Sequence, residues 1–168
     1  MGFDVHAQTP KVRYTTKKVA LRNKASGKII RRLRRGKKVI QIRAGNKWSI
    51  IERGGKRYVV RKKFLTKYKP LKAKYSGAYL RKAGAVLWGG NKYTWYSQRV
   101  LPDPTNWLGI KGKHIDKQGF ICDENNFICL GSNVANRGKI VKTPFGKWGK
   151  VYDAGYVTCN WYDCYTDW

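Results

Sequence analysis

The amino-acid sequence predicts an all-β protein built from two small barrels. Its apolar residues fall largely in short runs of four to six, with β-branched or aromatic positions, separated by Gly, Asn and Lys. No helix-period segment of useful length stands out in the second half of the chain. The 168 residues have room for one medium domain or two small ones, and a Pro-containing stretch near the middle favours two.

The first predicted barrel covers residues 11–68. Turns are expected at Gly27, at Gly36, at Gly45 with Asn46, and at Gly54 with Gly55. Five short strands at this spacing fit a small barrel. The five runs are KKVALRN, GKIIRRLRRG, KKVIQIRAG, KWSIIERGG and KRYVVRKKFL.

Residues 69–76, KPLKAKYS, contain Pro70 and no periodic apolar pattern, which is typical of a linker. Residues 77–168 return to strands and turns and predict a second all-β unit. Within it, CDENNF lies between two apolar pairs and predicts a hairpin turn, and TPFGKWG predicts another.

The charge is extreme and uneven. The net charge is +28, with 25 Lys and Arg against two acids in residues 1–76 and 12 against seven in residues 77–168. A surface this basic indicates a polyanionic partner, and nucleic acid, anionic membranes and anionic bacterial wall polymers all qualify. The alternative is a solvated surface adapted for solubility. In isolation RRLRRGKK is typical of a nucleic-acid patch, but inside alternating strands it predicts one solvated barrel face.

Neither the targeting signals nor the cysteine pattern determines where this protein acts. No stretch is apolar and long enough to span a bilayer, and MGFDVHAQTP lacks the pattern of a signal peptide, so the chain is expected either not to use one or to have lost it. Four cysteines, Cys122, Cys129, Cys159 and Cys164, lie in the second region without metal-ligand spacing, and either a disulfide or reduced thiols fits. His6 and His114 are isolated and receive no role.

The first region resembles a bacterial SH3 domain over about residues 12–68. The motifs are an L-R-x opening, a G-K-I-I strand, an L-x-x-G-x-x-V strand, a W-x-x-I strand and a closing G-x-R-Y-V-x-x-x-x-L. The resemblance implies a targeting module for peptidoglycan. Trp48 and Tyr58 are the candidates for aromatic faces in a substrate-binding groove, and the alternative is that both belong to the core of a small barrel.

The second region resembles the 3D domain, a three-aspartate double-psi β-barrel of wall-active proteins from Gram-positive bacteria and their phages. The motifs, over about residues 86–168, are YTWYSQRVLP, GKHIDKQGFICDENNFICLGS, RGKIVKTPFGKWGKVYDAG and DCYTDW. The resemblance implies a double-psi-type barrel that cleaves glycan, with no metal or cofactor, and Tyr96 and Ser97 are the candidate substrate-binding residues in its first motif.

The resemblance also selects two catalytic candidates. Asp153 in VYDAG takes the place of the family's aspartate in a D-T-G turn, although Ala154 replaces the usual Thr, and Asp163 in WYDCYTDW takes the place of the last aspartate. The first aspartate of the family would fall near Gly131 or Ser132, neither of which is acidic. Spacing alone favours a simpler interpretation, in which Asp153 caps a turn and Asp163 alternates outward from a strand.

A single carboxylic acid suffices for lytic cleavage between N-acetylmuramic acid and N-acetylglucosamine, whereas ordinary glycoside hydrolysis uses two at set separations. An acid role near neutral pH requires a raised pKa, and burial of Asp163 against Trp161, Tyr162 and Tyr165 would raise it. Asp153 would then orient Asp163 or bind sugar hydroxyls. Asp167 is expected to be a surface charge.

Together these observations predict a wall-binding, glycan-cleaving protein. The expected partners are peptidoglycan and anionic wall polymers, with phage tail proteins as a further candidate and no insertion into a membrane. The expected location is the bacterial cell wall or outside of the cell, or a phage virion. The alternatives are a non-catalytic wall-binding or virion structural protein, and a nucleic-acid-binding module driven by the basic region.

Overall fold

The computed structural model of the protein describes residues 8–100 and 109–168 and shows an all-β fold. Strands account for 49% of the residues and helices for 11%, which confirms the predicted fold class. The strands form two curled sheets, and the chain divides into two units between Pro70 and Leu71, inside the stretch predicted as a linker. The chain start MGFDVHA, with His6, lies outside the described residues.

Within the described residues, the first unit contains one sheet of seven strands, all paired antiparallel. The strands are β1 (Lys11–Thr15), β2 (Val19–Arg22), β3 (Ile29–Leu33), β4 (Lys38–Ala44), β5 (Trp48–Arg53), β6 (Lys56–Arg61) and β7 (Leu65–Thr66). Their order across the sheet is β3-β2-β6-β5-β4-β1-β7.

The five predicted runs form β2 to β6. β2, β4, β5 and β6 alternate between a buried and a more exposed face, whereas β3 buries only Leu33. Val19, Leu21, Ile51 and Val60 are among the residues of this small core. β5 and β6 meet in a two-residue turn, Gly54–Gly55, where both residues have positive φ as such a hairpin requires. β1 and β7 were not predicted, because β1 buries only one residue fully and β7 is two residues long.

The second unit contains eight strands and one α-helix in the described residues. The helix is α1 (Gly77–Ala83), and the strands are β8 (Val86–Trp88), β9 (Asn91–Ser97), β10 (His114–Ile115), β11 (Ile121–Cys122), β12 (Ile128–Asn133), β13 (Ile140–Lys142), β14 (Trp148–Gly155) and β15 (Trp161–Thr166). None of the helices in the described residues is long and apolar enough to cross a membrane.

α1 begins where the predicted linker ends. Ser76 is its N-cap, with the Ser76 hydroxyl accepting a hydrogen bond from the Tyr79 N–H at 3.1 Å, and Gly84, with φ of 74°, is its C-cap. Ala73 bridges to Phe145. Residues 71–76 therefore belong to the second unit rather than to a free connection.

The second sheet mixes antiparallel and parallel pairs. Its order is β10-β11-β12-β15-β9-β8, with β14 paired to β12 and β13 paired to β14. β9 and β15 run parallel, as do β12 and β14, whereas β12 and β15 run antiparallel. A succession of simple hairpins does not produce parallel neighbours, so long connections must cross the sheet.

The two hairpins predicted in this unit are confirmed. β11 and β12 pair around the CDENNF turn, in which the Asp123 carboxylate accepts hydrogen bonds from the N–H groups of Asn125 and Phe127 and Asn126 has a φ of 63°. β13 and β14 pair around the turn of TPFGKWG.

The core of the second unit is largely aromatic. Tyr93, Phe120 and Phe145 are its largest fully buried side chains, and the Phe120 and Phe145 ring centroids are 4.9 Å apart. All four cysteines are free thiols: Cys122, Cys129 and Cys164 are buried, and Cys159 is exposed. In the described part of the chain, no group of three or more His, Cys, Asp and Glu is placed to hold a metal ion.

Candidate active site around Asp163

Strand pairing brings the two predicted catalytic aspartates to opposite sides of one glycine. Gly131 on β12 is the cross-strand partner of Asp163 on β15 and also of Asp153 on β14. Because partners in neighbouring strands lie about 5 Å apart, the two aspartates approach each other across Gly131 although ten residues separate them in sequence. The resemblance thus selected two residues that the fold places together.

One face of the β9–β15 pair supplies the surroundings of Asp163, and we call it the site face. Side chains alternate along a strand, so every second residue of each strand contributes. Three register pairs lie side by side along this face: Lys92 with Trp161, Thr94 with Asp163, and Tyr96 with Tyr165. The Lys92 ammonium lies 3.7 Å from the centre of the Trp161 ring, and the Tyr96 and Tyr165 ring centroids are 5.9 Å apart.

Asp163 is half-buried and is oriented through one oxygen. The Thr94 hydroxyl donates a hydrogen bond to Asp163 Oδ1, and Thr94 in turn accepts one from the Trp161 indole N–H at 2.6 Å. Among the described residues no donor bonds to Asp163 Oδ2. The chain of Trp161, Thr94 and Asp163 therefore fixes the carboxyl group and leaves one of its oxygens available.

Asp153 differs from Asp163 in that both of its oxygens are engaged. Oδ1 accepts a hydrogen bond from the Ala154 N–H, and Oδ2 accepts one from the Tyr165 hydroxyl, each at 2.8 Å. Burial raises the pKa of Tyr165 well above its ordinary value, and the hydrogen bond to Asp153 and the charges of Asp153 and Asp163 raise it further. Tyr165 thus remains a neutral hydrogen-bond donor between the two carboxylates.

Gly131 occupies the position nearest to both aspartates. A Cβ atom on Gly131 would lie 3.2 Å from the Tyr165 hydroxyl oxygen, a close contact that a larger side chain would intensify. Ser132 lies one position on: it is buried, and its hydroxyl donates to the Trp161 carbonyl at 2.7 Å. Of the two positions that the resemblance offers for a missing first aspartate, Gly131 is therefore the one at the site.

The candidate substrate-binding residues of β9 have different surroundings. Tyr96 lies on the site face, and 43% of it is exposed, so its ring is accessible beside Tyr165. Ser97 follows on the opposite face of the strand, and its hydroxyl accepts a hydrogen bond from the Arg99 N–H at 3.2 Å. The structure brings Tyr96 to the aspartates but not Ser97.

The predicted aromatic surroundings of Asp163 are wrong in one respect. Tyr162 lies on the other face of β15, where its ring stacks on Tyr93 with centroids 5.6 Å apart as part of the core. Trp161 and Tyr165 are on the site face with Asp163, as expected. Asp167 forms an exposed ion pair with Arg99 at 3.7 Å, which agrees with a surface charge.

The two candidate aromatic residues of the first unit do not share a groove. Tyr58 pairs with Ile51 and packs against the core of this unit, whereas Trp48 pairs with Arg61 on the opposite face. The Arg61 guanidinium lies 4.1 Å from the centre of the Trp48 ring. Strand alternation directs Tyr58 inward and Trp48 outward, so the two rings do not lie side by side on one face of the sheet.

Thr94 is the site residue that the sequence alone did not select. Its signal is weak but present, since YTWY places one small hydroxyl side chain among three aromatic residues on a strand. The partner of Thr94 lies on β15, and nothing in the local sequence indicates that these two strands are neighbours. The hydrogen bond to Asp163 therefore becomes visible only in the folded chain.

Chemically, the site offers one carboxyl group with an available oxygen and a second carboxylate held in place. The first suits proton transfer to or from a ligand on the site face, and the second suits positioning. Tyr96 and the Trp161 ring provide flat surfaces of the kind that sugar rings contact. No family model, curated protein or solved structure matches this chain, so the function is argued from the fold and this site.

Proposed function

We propose that this protein binds the bacterial cell wall and cleaves its glycan as a lytic transglycosylase-like enzyme, with Asp163 as the general acid and base. The observation that supports this assignment is the difference between the two aspartates: no donor among residues 8–100 and 109–168 bonds Asp163 Oδ2, whereas both oxygens of Asp153 accept hydrogen bonds. A group that exchanges a proton with substrate needs an accessible oxygen, and a positioning group does not.

In the proposed reaction, protonated Asp163 gives its proton to the glycosidic oxygen as the bond between that oxygen and C1 of N-acetylmuramic acid breaks. The Asp163 carboxylate then takes the proton from the C6 hydroxyl of the same sugar as O6 bonds to C1. The product is a 1,6-anhydro ring, and Asp163 ends in its starting protonation state. Because the nucleophile belongs to the substrate, no second carboxylate has to hold a water molecule.

Asp153 and its neighbours have supporting roles in this proposal. The Tyr165 hydroxyl bonds Asp153 and lies next to Gly131, so it holds the second carboxylate at a fixed distance from the reacting group. Tyr96 and Trp161 supply surfaces for the sugar rings. The proposed location is the cell wall or a phage virion, with peptidoglycan and anionic wall polymers as partners of the basic first unit.

A non-catalytic wall-binding or virion structural protein is the second candidate. It is favoured by Gly131, since the position adjacent to both aspartates carries no acid where the resemblance implies one. In that case the site face would bind glycan through Tyr96 and Trp161 without cleaving it.

Incubation with purified sacculi separates the two candidates. We expect the full chain to release soluble glycan fragments that carry the 1,6-anhydro ring, identified by mass spectrometry. Fragments with ordinary reducing ends would indicate a hydrolase with a second carboxylate. Binding to sacculi without any released fragment would support the structural candidate.

A further inference from the structure

The first unit contains a cavity of about 430 Å³ on the part of its sheet formed by β1 and β4. Small-molecule sites in proteins typically have about 300–1,000 Å³, so this cavity has the size of a ligand site. Its lining is mainly polar and basic: Gln8, Thr9, Lys11, Arg13, Gln41, Ala44, Lys62 and Leu65.

Three cations line the cavity, and none of its described lining residues carries a carboxylate. Lys11 and Arg13 lie two residues apart on β1, and Lys62 begins the 3-10 turn that follows β6. Within the described residues none of the three forms an ion pair, whereas the ion pairs that the structure contains are all in the second unit. These charges are therefore not neutralised by the described part of the chain.

The polar residues beside the cations are held in place. Gln41 is buried and donates its amide N–H to the Ser49 hydroxyl at 2.7 Å, directly across the strand pair from Lys11. The Gln8 side-chain oxygen accepts a hydrogen bond from the Ala44 N–H at 2.8 Å, which leaves its amide group as a donor. Arg13 uses one guanidinium N–H on the Val12 carbonyl and keeps the others.

This lining suits a phosphate group better than a carboxylate. Cations and amide donors approach from two strands and a turn, and a phosphate presents oxygens in several directions, whereas the two oxygens of a carboxylate lie in one plane. An arginine fork together with lysine ammonium groups is a common arrangement around phosphate in proteins.

The lining also discriminates between phosphate polymers. Proteins that bind single-stranded nucleic acid stack bases on aromatic rings, and none of the lining residues that the structure describes is aromatic. The cavity is also limited to about 430 Å³, whereas a nucleic-acid backbone needs a continuous groove. A polymer of small polyol units joined by phosphodiesters fits both properties, because each repeat is compact and has no base.

We propose that this cavity, which we call the phosphate cavity, binds one phosphodiester unit of an anionic polyol-phosphate polymer of the bacterial wall. The inference rests on the proposed wall association of the protein and specifies which wall component the basic unit recognises. The first unit would then bind phosphate groups specifically, and its role would not be limited to attracting polyanions by its high charge.

The test measures affinity for soluble polymers with the full chain, by calorimetry at physiological salt. The probes are poly(glycerol phosphate), poly-glutamate as a carboxylate polyanion, and an oligo-thymidine as a phosphodiester with bases. We expect poly(glycerol phosphate) to bind tightest. Arg13→Gln combined with Lys62→Gln should weaken its binding by about tenfold or more, the size of at least one lost charge-assisted hydrogen bond.

The matched control is Arg32→Gln combined with Lys56→Gln, which removes the same charge from exposed positions outside the cavity. It should weaken binding by less than about threefold, since solvated charges contribute little individually. Equal losses in the two double variants, or tighter binding of poly-glutamate or oligo-thymidine, would overturn the proposal. If the variant that carries Arg13→Gln fails to fold, the same affinity measurement is made with Lys62→Gln alone, since Lys62 is exposed.

Failure of this inference is distinguishable from failure of the proposed function. Sacculi stripped of phosphate polymers by acid retain the glycan, so cleavage by Asp163 should continue on them while capture through the phosphate cavity is lost. Failure of the unsubstituted chain to bind poly(glycerol phosphate), with intact glycan release, would contradict only the phosphate cavity. Polymer binding without glycan release would contradict only the catalytic proposal.

Discussion

Asp153 and Asp163 have the same side chain and lie on opposite sides of Gly131, but their hydrogen bonds give them different chemical capacities. Asp153 is satisfied by the Ala154 N–H and the Tyr165 hydroxyl, so its movement and its exchange of protons with a ligand are restricted. In the part of the chain that the structure describes, Asp163 accepts a side-chain hydrogen bond at one oxygen only, from Thr94. The proposed division between a reacting and a positioning carboxylate follows from this difference.

Asp163→Asn should lower the rate of glycan release by roughly 10² to 10⁴, the contribution that general acid–base catalysis typically makes. The amide keeps the shape of the side chain and still accepts a hydrogen bond from Thr94, so folding and wall binding should persist. Asp153→Asn should lower the rate of glycan release by a smaller factor if Asp153 only positions its neighbour. The measurement is the initial rate of anhydro-fragment release from sacculi, and a larger loss for Asp153→Asn would reverse the two assignments.

The resemblance predicted part of the site, and the local sequence could not predict the rest. Asp153, Asp163 and Tyr96 were selected in advance, and the fold brings them together. Ser97 and Tyr162 were misplaced because one residue of register along a strand moves a side chain to the other face. Thr94 was not selected, since its importance depends on a strand that lies far away in sequence.

Lys147, in the turn between β13 and β14, connects several elements of the second unit. Its ammonium lies 2.7 Å from Asp116 Oδ2, 2.7 Å from Asn126 Oδ1 and 3.3 Å from the Cys122 sulfur. The side chains of Lys147 and Asp116 are only 18% and 8% exposed. Asp116 also accepts hydrogen bonds from the N–H groups of Gln118 and Phe120.

Lys147→Met should destabilise the second unit by about 2–4 kcal/mol, because it leaves the buried Asp116 carboxylate without its counter-charge. Lys111→Met is the matched control: Lys111 pairs with Glu124 at 3.6 Å, but the two side chains are 83% and 47% exposed. That variant should cost less than about 1 kcal/mol. Urea unfolding of the full chain, followed by tryptophan fluorescence, measures both, and equal losses would show that the buried network is not stabilising.

Elements whose pattern is local were predicted, and elements that depend on distant partners were not. β2 to β6 were predicted from their short apolar runs and from the turn residues between them. The two hairpins of the second unit were predicted from their turn residues. α1 was not predicted because seven residues are too few for helical periodicity, although Ser76 and Gly84 are suitable caps. The parallel pairs, β9 with β15 and β12 with β14, cannot be predicted from the local sequence of any of these strands.

At the scale of the whole molecule, the second unit concentrates thiol and phenol groups whose ionisation is suppressed. Burial is the largest cause throughout: it raises the pKa of Cys122 to about 11 and raises the pKa values of Cys129 and Cys164. It also raises the pKa values of Tyr93 and Tyr152. Each of these groups is therefore held in its neutral form by the folded state.

Folding stability should fall as pH rises above about 9. In that range the unfolded chain loses protons that the folded chain retains, so the free energy of unfolding decreases with pH. For Cys122 the loss begins near the ordinary thiol pKa of 9.0 and is complete above about 11. A pKa that differs by one between the folded and the unfolded chain changes the free energy of unfolding by about 1.4 kcal/mol per group. Several such groups together therefore make the free energy of unfolding fall steeply with pH.

The check is the melting temperature of the full chain at pH 7, 9, 10 and 11, at constant ionic strength and with reductant present. Cys122→Ala removes one of the titrating groups, so its melting temperature should fall less steeply than that of the unsubstituted chain. A melting temperature that stays constant, or rises, between pH 9 and 11 would contradict the suppressed ionisation.

β15 lies at the centre of the second sheet, between β12 and β9, although Thr94 on β9 and Asp163 on β15 are 69 residues apart in sequence. Before β15 is in place, β8 and β9 form one fragment, and β10 to β14 form another, each with an unpaired strand edge. Contacts between residues so far apart in sequence make folding slow. Unpaired strand edges that are exposed meanwhile can pair with strands of other chains. The candidate site is therefore complete only when β15 is paired on both sides, because Thr94 belongs to β9, Gly131 belongs to β12, and Asp163 lies between them on β15.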